Sequence, residues 1–224
     1  MTELFGTDKK NFIFIGEAGC GKSEIALNLA AALAEKGDRP VHLFDLDQTK
    51  PLMRARDACA TVEKLGVLFH YEAQFYDAPT EVGGVREAMR DATNYTILDV
   101  GGNDTGARLI GGYAPFLNRE DSAVFYVVNP YRPWSGSVEA IDGTLSAVLR
   151  ASRVKKFSFV CNPNLGADTS EQEFFEGVEK TRAMLDPYFP VEFCFAAEEL
   201  YEKVADKCSL PVFPLTLYLK DMYD

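Results

Sequence analysis

The chain has 224 residues, 47% of them hydrophobic and 25% charged, a composition that excludes a disordered chain and suits one globular domain closing its core without disulfides. With 23 Lys and Arg against 34 Asp and Glu, the net charge of −11 repels phosphate backbones on average and argues against direct binding of bulk DNA. The five cysteines are scattered without a C-x-x-C pair, which argues against a disulfide framework or a self-contained zinc cage and suits a reducing cytoplasm.

No apolar run approaches the ~18 residues of a membrane span, and the first eleven residues are too polar for a secretory signal. The expectation is one domain over residues 1–224, with tails of roughly ten residues before it and nine after it. Residues 11–15 (NFIFI) read as a buried strand, and residues 23–36 as an Ala- and Leu-rich helix closed by Gly37. Strands follow at 40–44, 67–70 and 95–100, with a helix at 81–92 before the last of these. Then come a strand at 122–128, a helix at 137–150, a strand at 157–161, a helix at 171–185 and a final strand at 191–195. The strands are continuous apolar runs rather than alternating ones. Such runs, alternating with helices, predict a three-layer α/β/α fold around a mostly parallel sheet.

Gly16-Glu17-Ala18-Gly19-Cys20-Gly21-Lys22-Ser23 fits G-x-x-x-x-G-K-[ST] and lies between the first strand and the first helix. Glycines at these positions let successive N–H groups turn toward phosphate oxygens, and the helix start adds its positive end. Lys22 is expected to reach the β- and γ-phosphates, and Ser23 to offer its hydroxyl to Mg²⁺. The motif predicts the P-loop NTPase fold and a nucleoside triphosphate ligand. Cys20 sits within this loop, where a helix N-terminus can lower a thiol pKa, but variable loop positions accept many side chains.

Such a site needs carboxylates at neighbouring strand ends. Asp45 and Asp47 follow the second strand, and Asp99 ends the fourth, with Gly101 and Gly102 after it. Asp99 has the placement of a Walker B aspartate holding metal. One of Asp45 and Asp47 is placed to orient the attacking water, and the other to hold metal. The segment Tyr131-Arg132-Pro133-Trp134 reads either as a surface that stacks on a base or meets a partner, or as a rigid turn packed on the domain. His42 and His70 read as isolated structural residues.

Taken together, the loop, the Ala-rich helix, Asp45-x-Asp47, ILDVGG at 97–102, VVNPYRPWSGSVEAID at 127–142 and FVCN at 159–162 resemble the ParA/MinD group of SIMIBI-class NTPases. The resemblance implies a cytoplasmic Mg-ATP-dependent switch that hydrolyses ATP to ADP, acts on an unidentified partner protein and forms a nucleotide-dependent homodimer. Cargo positioning, plasmid or conjugative-element maintenance and cofactor maturation are all compatible roles. By residue matching, Asp47 falls on the water-positioning aspartate, Asp99 on the Walker B aspartate, which with Ser23 and Asp45 forms the metal side, and Asn162 on the adenine reader. The group's signature lysine is replaced by Glu17, so Lys50 or Arg54 substitutes for it, or the dimer forms differently. Metal-handling relatives in the group use a closely spaced cysteine pair at the dimer interface; no such pair is present here, and only a two-fold axis bringing two copies of Cys59 together would supply one. The competing reading is a small-molecule kinase or carboxylate ligase on the same fold, similar to dethiobiotin synthetase. Neither Asn129-Pro130-Tyr131-Arg132 nor Asn162-Pro163-Asn164-Leu165 carries the N-K-x-D of guanine recognition, which favours ATP over GTP.

Overall fold

The computed structural model describes residues 8–47, 59–71, 82–102, 104–166 and 168–219. Its strands are β1 (Asn11–Ile15), β2 (Val41–Leu46), β3 (Val67–His70), β4 (Tyr95–Val100), β5 (Ser122–Val128), β6 (Ser158–Cys161), β7 (Val191–Ala197) and β8 (Val212–Leu215). The helices are α1 (Lys22–Lys36), α2 (Cys59–Lys64), α3 (Val85–Arg90), α4 (Asp104–Gly111), α5 (Ala114–Leu117), α6 (Val138–Ser152), α7 (Glu171–Leu185) and α8 (Glu198–Val204). The strands join in one sheet, ordered β3-β2-β4-β1-β5-β6-β7-β8, with every pair parallel.

Two-sided burial explains the continuous apolar strands. Ile13, Ile15, Phe44, Leu46, Leu98 and Tyr126 point to the face covered by α3–α8. Phe12, Phe14, Leu43, Ile97 and Val127 point to the opposite face, where Ile25, Leu29 and Leu33 of α1 and Val62 of α2 pack on them. Helix starts follow their caps. Ser170 and Glu173 form a reciprocal capping box at α7, and Ser137 caps α6 through the Ala140 N–H, each cap contributing about 1 kcal/mol.

Several elements depart from the sequence expectation. The series does not close at β7, because β8 adds an edge strand containing Pro214. An edge position tolerates a residue without an N–H, although proline signals a break in sequence. The helix expected over 81–92 spans only Val85–Arg90, beginning after Gly84 at φ 84°, and Glu81 lies outside the described residues. Helices α2, α4, α5 and α8 are likewise absent from the sequence expectation; in α4, Gly106 and Gly111 dilute the pattern. The segment after β8 lies along α1. Thr216 exchanges two hydrogen bonds with Asn28 at 2.8 and 2.9 Å, and the Tyr218 N–H donates to Glu24.

The two histidines are not isolated. Parallel pairing of β2 with β3 sets His42 Nδ1 and His70 Nε2 2.9 Å apart, so one ring donates and the other accepts. Burial pushes both pKa values below the usual histidine range. A base whose folded pKa is depressed contributes stability above its unfolded pKa of about 6.5, and that stability fades as pH falls. Unfolding midpoints should therefore drop between pH 7 and pH 5, and His70→Gln should flatten part of that slope. An unchanged slope would separate the pair from the acid response.

Candidate functional site

The C-terminal ends of the central strands carry the predicted site, as expected for an open parallel α/β sheet. The loop from Gly16 to Gly21 connects β1 to α1. Gly21 has φ 97°, and a Cβ at that position would collide with the Asn162 side-chain nitrogen. This turn is therefore restricted to glycine both by its angle and by its neighbour. Lys22 opens α1 and is buried. Its ammonium folds over the loop, donating to the Glu17 carbonyl at 2.8 Å and lying 3.7 Å from Cys20 Sγ. Ser23 follows on the first turn.

The register of β4 between β1 and β2 sets Asp99 beside Phe14 on one side and Asp45 on the other. Asp99 is 1% exposed, and neither carboxylate oxygen has a geometrically satisfied hydrogen-bond partner, although the Ser23 hydroxyl stands close enough to favour its charged form. Burial first, and then the charge of Asp45, push its pKa up to about 7, while Ser23 and Lys22 pull the other way. Asp45, also buried, accepts a 3.0 Å hydrogen bond from the Asp47 N–H, which turns the chain so that Asp47 Oδ1 lies against Gly101. The structure thus brings Gly16–Ser23, Asp45, Asp47 and Asp99 to one place. Lys50 and Arg54 lie outside the described residues, as does the side chain of Cys59.

A buried carboxylate with two unpartnered oxygens suits a cation that shares its shell with phosphate. Magnesium commonly takes one or two carboxylates plus phosphate oxygens and retains several waters. Asp99, Asp45 and the Ser23 hydroxyl form a donor set of that hard-oxygen type. Among the described residues, no group of three or more His, Cys, Asp and Glu is arranged to hold a metal by itself. An ion here would need phosphate and water to complete its coordination.

Neighbouring loops grip the phosphate loop from outside. Asn162, at the end of β6, donates from its side-chain nitrogen to the Cys20 carbonyl at 2.9 Å. Arg132 Nε donates to the Gly19 carbonyl and Trp134 Nε1 to the Ala18 carbonyl, both at 3.0 Å. The segment that had two readings in sequence is thus a turn packed back on this loop. Asn129 fixes its base, because its Oδ1 accepts from the Tyr131 and Asn164 N–H groups while its Nδ2 donates to the Asn164 carbonyl. Gly102 approaches so closely that a Cβ there would overlap the backbone of Ala18. Cys20 is fully buried and burial raises its pKa, the opposite of an activated thiol. Beyond Asn162, a shallow cleft opens between the ends of β6 and β7, lined by Pro163, Asn164, Gly166, Thr169, Ala197 and Leu200.

No family model and no curated protein sequence matches the chain. Among solved structures it is similar to cell division protein FtsY of Thermotoga maritima, with TM-score 0.53 and 14% identity over 86% of this chain and 63% of that one. It is also similar to signal recognition particle receptor FtsY of Elizabethkingia anophelis, with TM-score 0.54 and 17% identity over 98% and 66%. The same receptor in complex with GDP gives TM-score 0.53 and 16% identity over 86% and 58%. The chain spans about three fifths of the length of these proteins. The likeness establishes the fold, a three-layer α/β/α arrangement of the P-loop NTPase type. No helix among the described residues is long and apolar enough to cross a membrane.

Two substitutions probe this geometry. Asp99→Asn removes a buried charge without a hydrogen-bond partner, so the ligand-free protein should gain about 1 kcal/mol or more in denaturant unfolding. Gly102→Ala should push the two loops apart and cost about 1–3 kcal/mol by overpacking. A stability equal to the parent's in the second case would show that the contact with Ala18 does not hold.

Proposed function

We propose that the chain binds and hydrolyses a magnesium–nucleoside triphosphate, and acts as a ParA/MinD-type switch on a partner protein. The observation that carries this reading is Asp99, a buried carboxylate without hydrogen-bond partners at the strand end beside the phosphate loop. A stably folded core rarely leaves such a group alone unless a cation completes it.

Loop amides from Gly16 to Gly21 and the Lys22 ammonium would hold the triphosphate tail. Ser23, Asp45 and Asp99 would hold Mg²⁺, which when bound neutralises phosphate charge that develops as the terminal group departs. Asp47, set against Gly101, would orient the attacking water and accept its proton. The cleft beyond Asn162, with its mixed polar and apolar lining, has the position for a nucleobase. The missing N-K-x-D pattern supports ATP as the nucleotide. Glu17 replaces the signature lysine of the group, so any nucleotide-dependent dimer draws its cross-subunit charge from elsewhere.

Calorimetry at millimolar magnesium with ATP, GTP and their diphosphates tests the site. ATP should bind most tightly. Lys22→Ala should lose affinity by about 100-fold. Asp47→Ala should keep affinity within about threefold while slowing phosphate release by about 100-fold. No heat with any purine nucleotide, or binding indifferent to Lys22→Ala, would overturn the assignment.

A further inference from the structure

On the helical face away from α1, three cysteines gather, none of which the nucleotide reading uses. Cys161 and Cys194 sit opposite each other on β6 and β7, and Cys208 lies on the connection from α8 to β8. Cys194 Sγ and Cys208 Sγ are 3.8 Å apart, while the Cys161 sulfur is hydrogen-bonded to Thr181 at 3.2 Å. We propose that Cys194 and Cys208 form a thiol-oxidation site, in which a hydroperoxide converts the pair into a disulfide tying β7 to the segment entering β8.

The backbone fixes the approach of the two sulfurs. The Cys194 N–H donates to the Pro211 carbonyl at 2.9 Å, and the Cys208 N–H donates to the Val204 carbonyl at 3.0 Å. Cys194 Sγ also points at the Pro211 carbonyl, 3.6 Å away. Each chain segment is therefore anchored independently of the sulfurs, and closing the bond requires the half-buried Cys208 side chain to turn its sulfur toward Cys194.

The two thiols have different roles. Cys208 reaches solvent, and sharing a proton with Cys194 lowers its pKa, which favours its thiolate. Cys194 is fully buried, and the same shared proton together with burial raises its pKa. The Cys208 thiolate attacks the terminal oxygen of the hydroperoxide. The O–O bond breaks, the sulfur is oxidised by two electrons to sulfenic acid, and the departing oxygen takes a proton from water. The Cys194 sulfur then attacks that sulfur. The S–S bond forms, the S–O bond breaks, and the oxygen leaves as water with the Cys194 proton. Cys20 and Cys161 are fully buried with pKa values raised by burial, to about 12 for Cys161, and stay inert.

The bond would enclose α8. Leu200 of that helix, with Ala196 and Ala197 before it, forms one wall of the cleft beyond Asn162. Oxidation would fix that wall in place, whatever occupies the cleft.

Hydrogen peroxide added to the full chain at neutral pH, followed by alkylation and mass spectrometry, tests the proposal without reference to nucleotide. The expected product has lost about 2 Da, the two thiol hydrogens, and retains no added oxygen. Trypsin should release residues 183–203 joined to residues 208–220, and dithiothreitol should separate them. The oxidised protein should unfold several degrees higher than the reduced one. Cys208→Ser should abolish the joined peptide, and Cys194→Ser should leave sulfenic or sulfinic acid accumulating on Cys208. Oxygen retained on Cys208 in the parent protein, a bond to any other cysteine, or failure of both thiols to react would overturn the proposal. The parent-protein result stands even if the buried Cys194→Ser variant does not fold.

Discussion

Burial of one carboxylate without hydrogen-bond partners organises this molecule. Asp99 is placed by strand register, between a strand that leads into the phosphate loop and a strand that ends in Asp45. Neither of its oxygens has a geometrically satisfied hydrogen-bond partner, and its neighbour is another carboxylate. That arrangement is unfavourable for the chain alone and becomes favourable when positive charge is supplied. The site therefore stores a demand for a cation within a sheet whose other buried groups are mostly apolar.

The phosphate loop is held by contacts spread widely along the sequence. Asn162 secures the Cys20 carbonyl, Arg132 that of Gly19 and Trp134 that of Ala18, while Gly102 presses on the same stretch. Most contacts within a closed α/β core are rigid, but these four come from strand-end loops. Any movement of the phosphate loop must be felt by the loops after β4, β5 and β6 together. Such an arrangement couples the phosphate loop to three neighbouring loops at once.

Much of this could be read from the residues. The glycine spacing of the phosphate loop is a local signature, and the strands announced themselves because burial on both faces leaves long apolar runs. Asp45 and Asp99 were found because they end such runs. What escaped was encoded in pairing or masked by punctuation. Pro211 and Pro214 hid β8, since proline stops a strand everywhere except an edge. Glycines at 106 and 111 obscured α4. The His42–His70 bond depends on which strands become neighbours, and that is decided by the whole sheet rather than by either segment. Asn162 had been matched to base recognition, and its observed bond to Cys20, 142 residues away, is a contact that no local pattern announces. Cys194 and Cys208 looked incidental because their closeness arises only once β8 folds back beside β7.

Trp134 is the chain's single tryptophan, and its indole nitrogen rests on the carbonyl of Ala18. Its ring is 38% exposed, part packed and part wetted. An indole so placed emits light whose colour and yield follow its hydration and its hydrogen bond. The protein thus carries an intrinsic optical reporter on the segment whose position matters most, readable in real time with no label attached and no second tryptophan to dilute the signal.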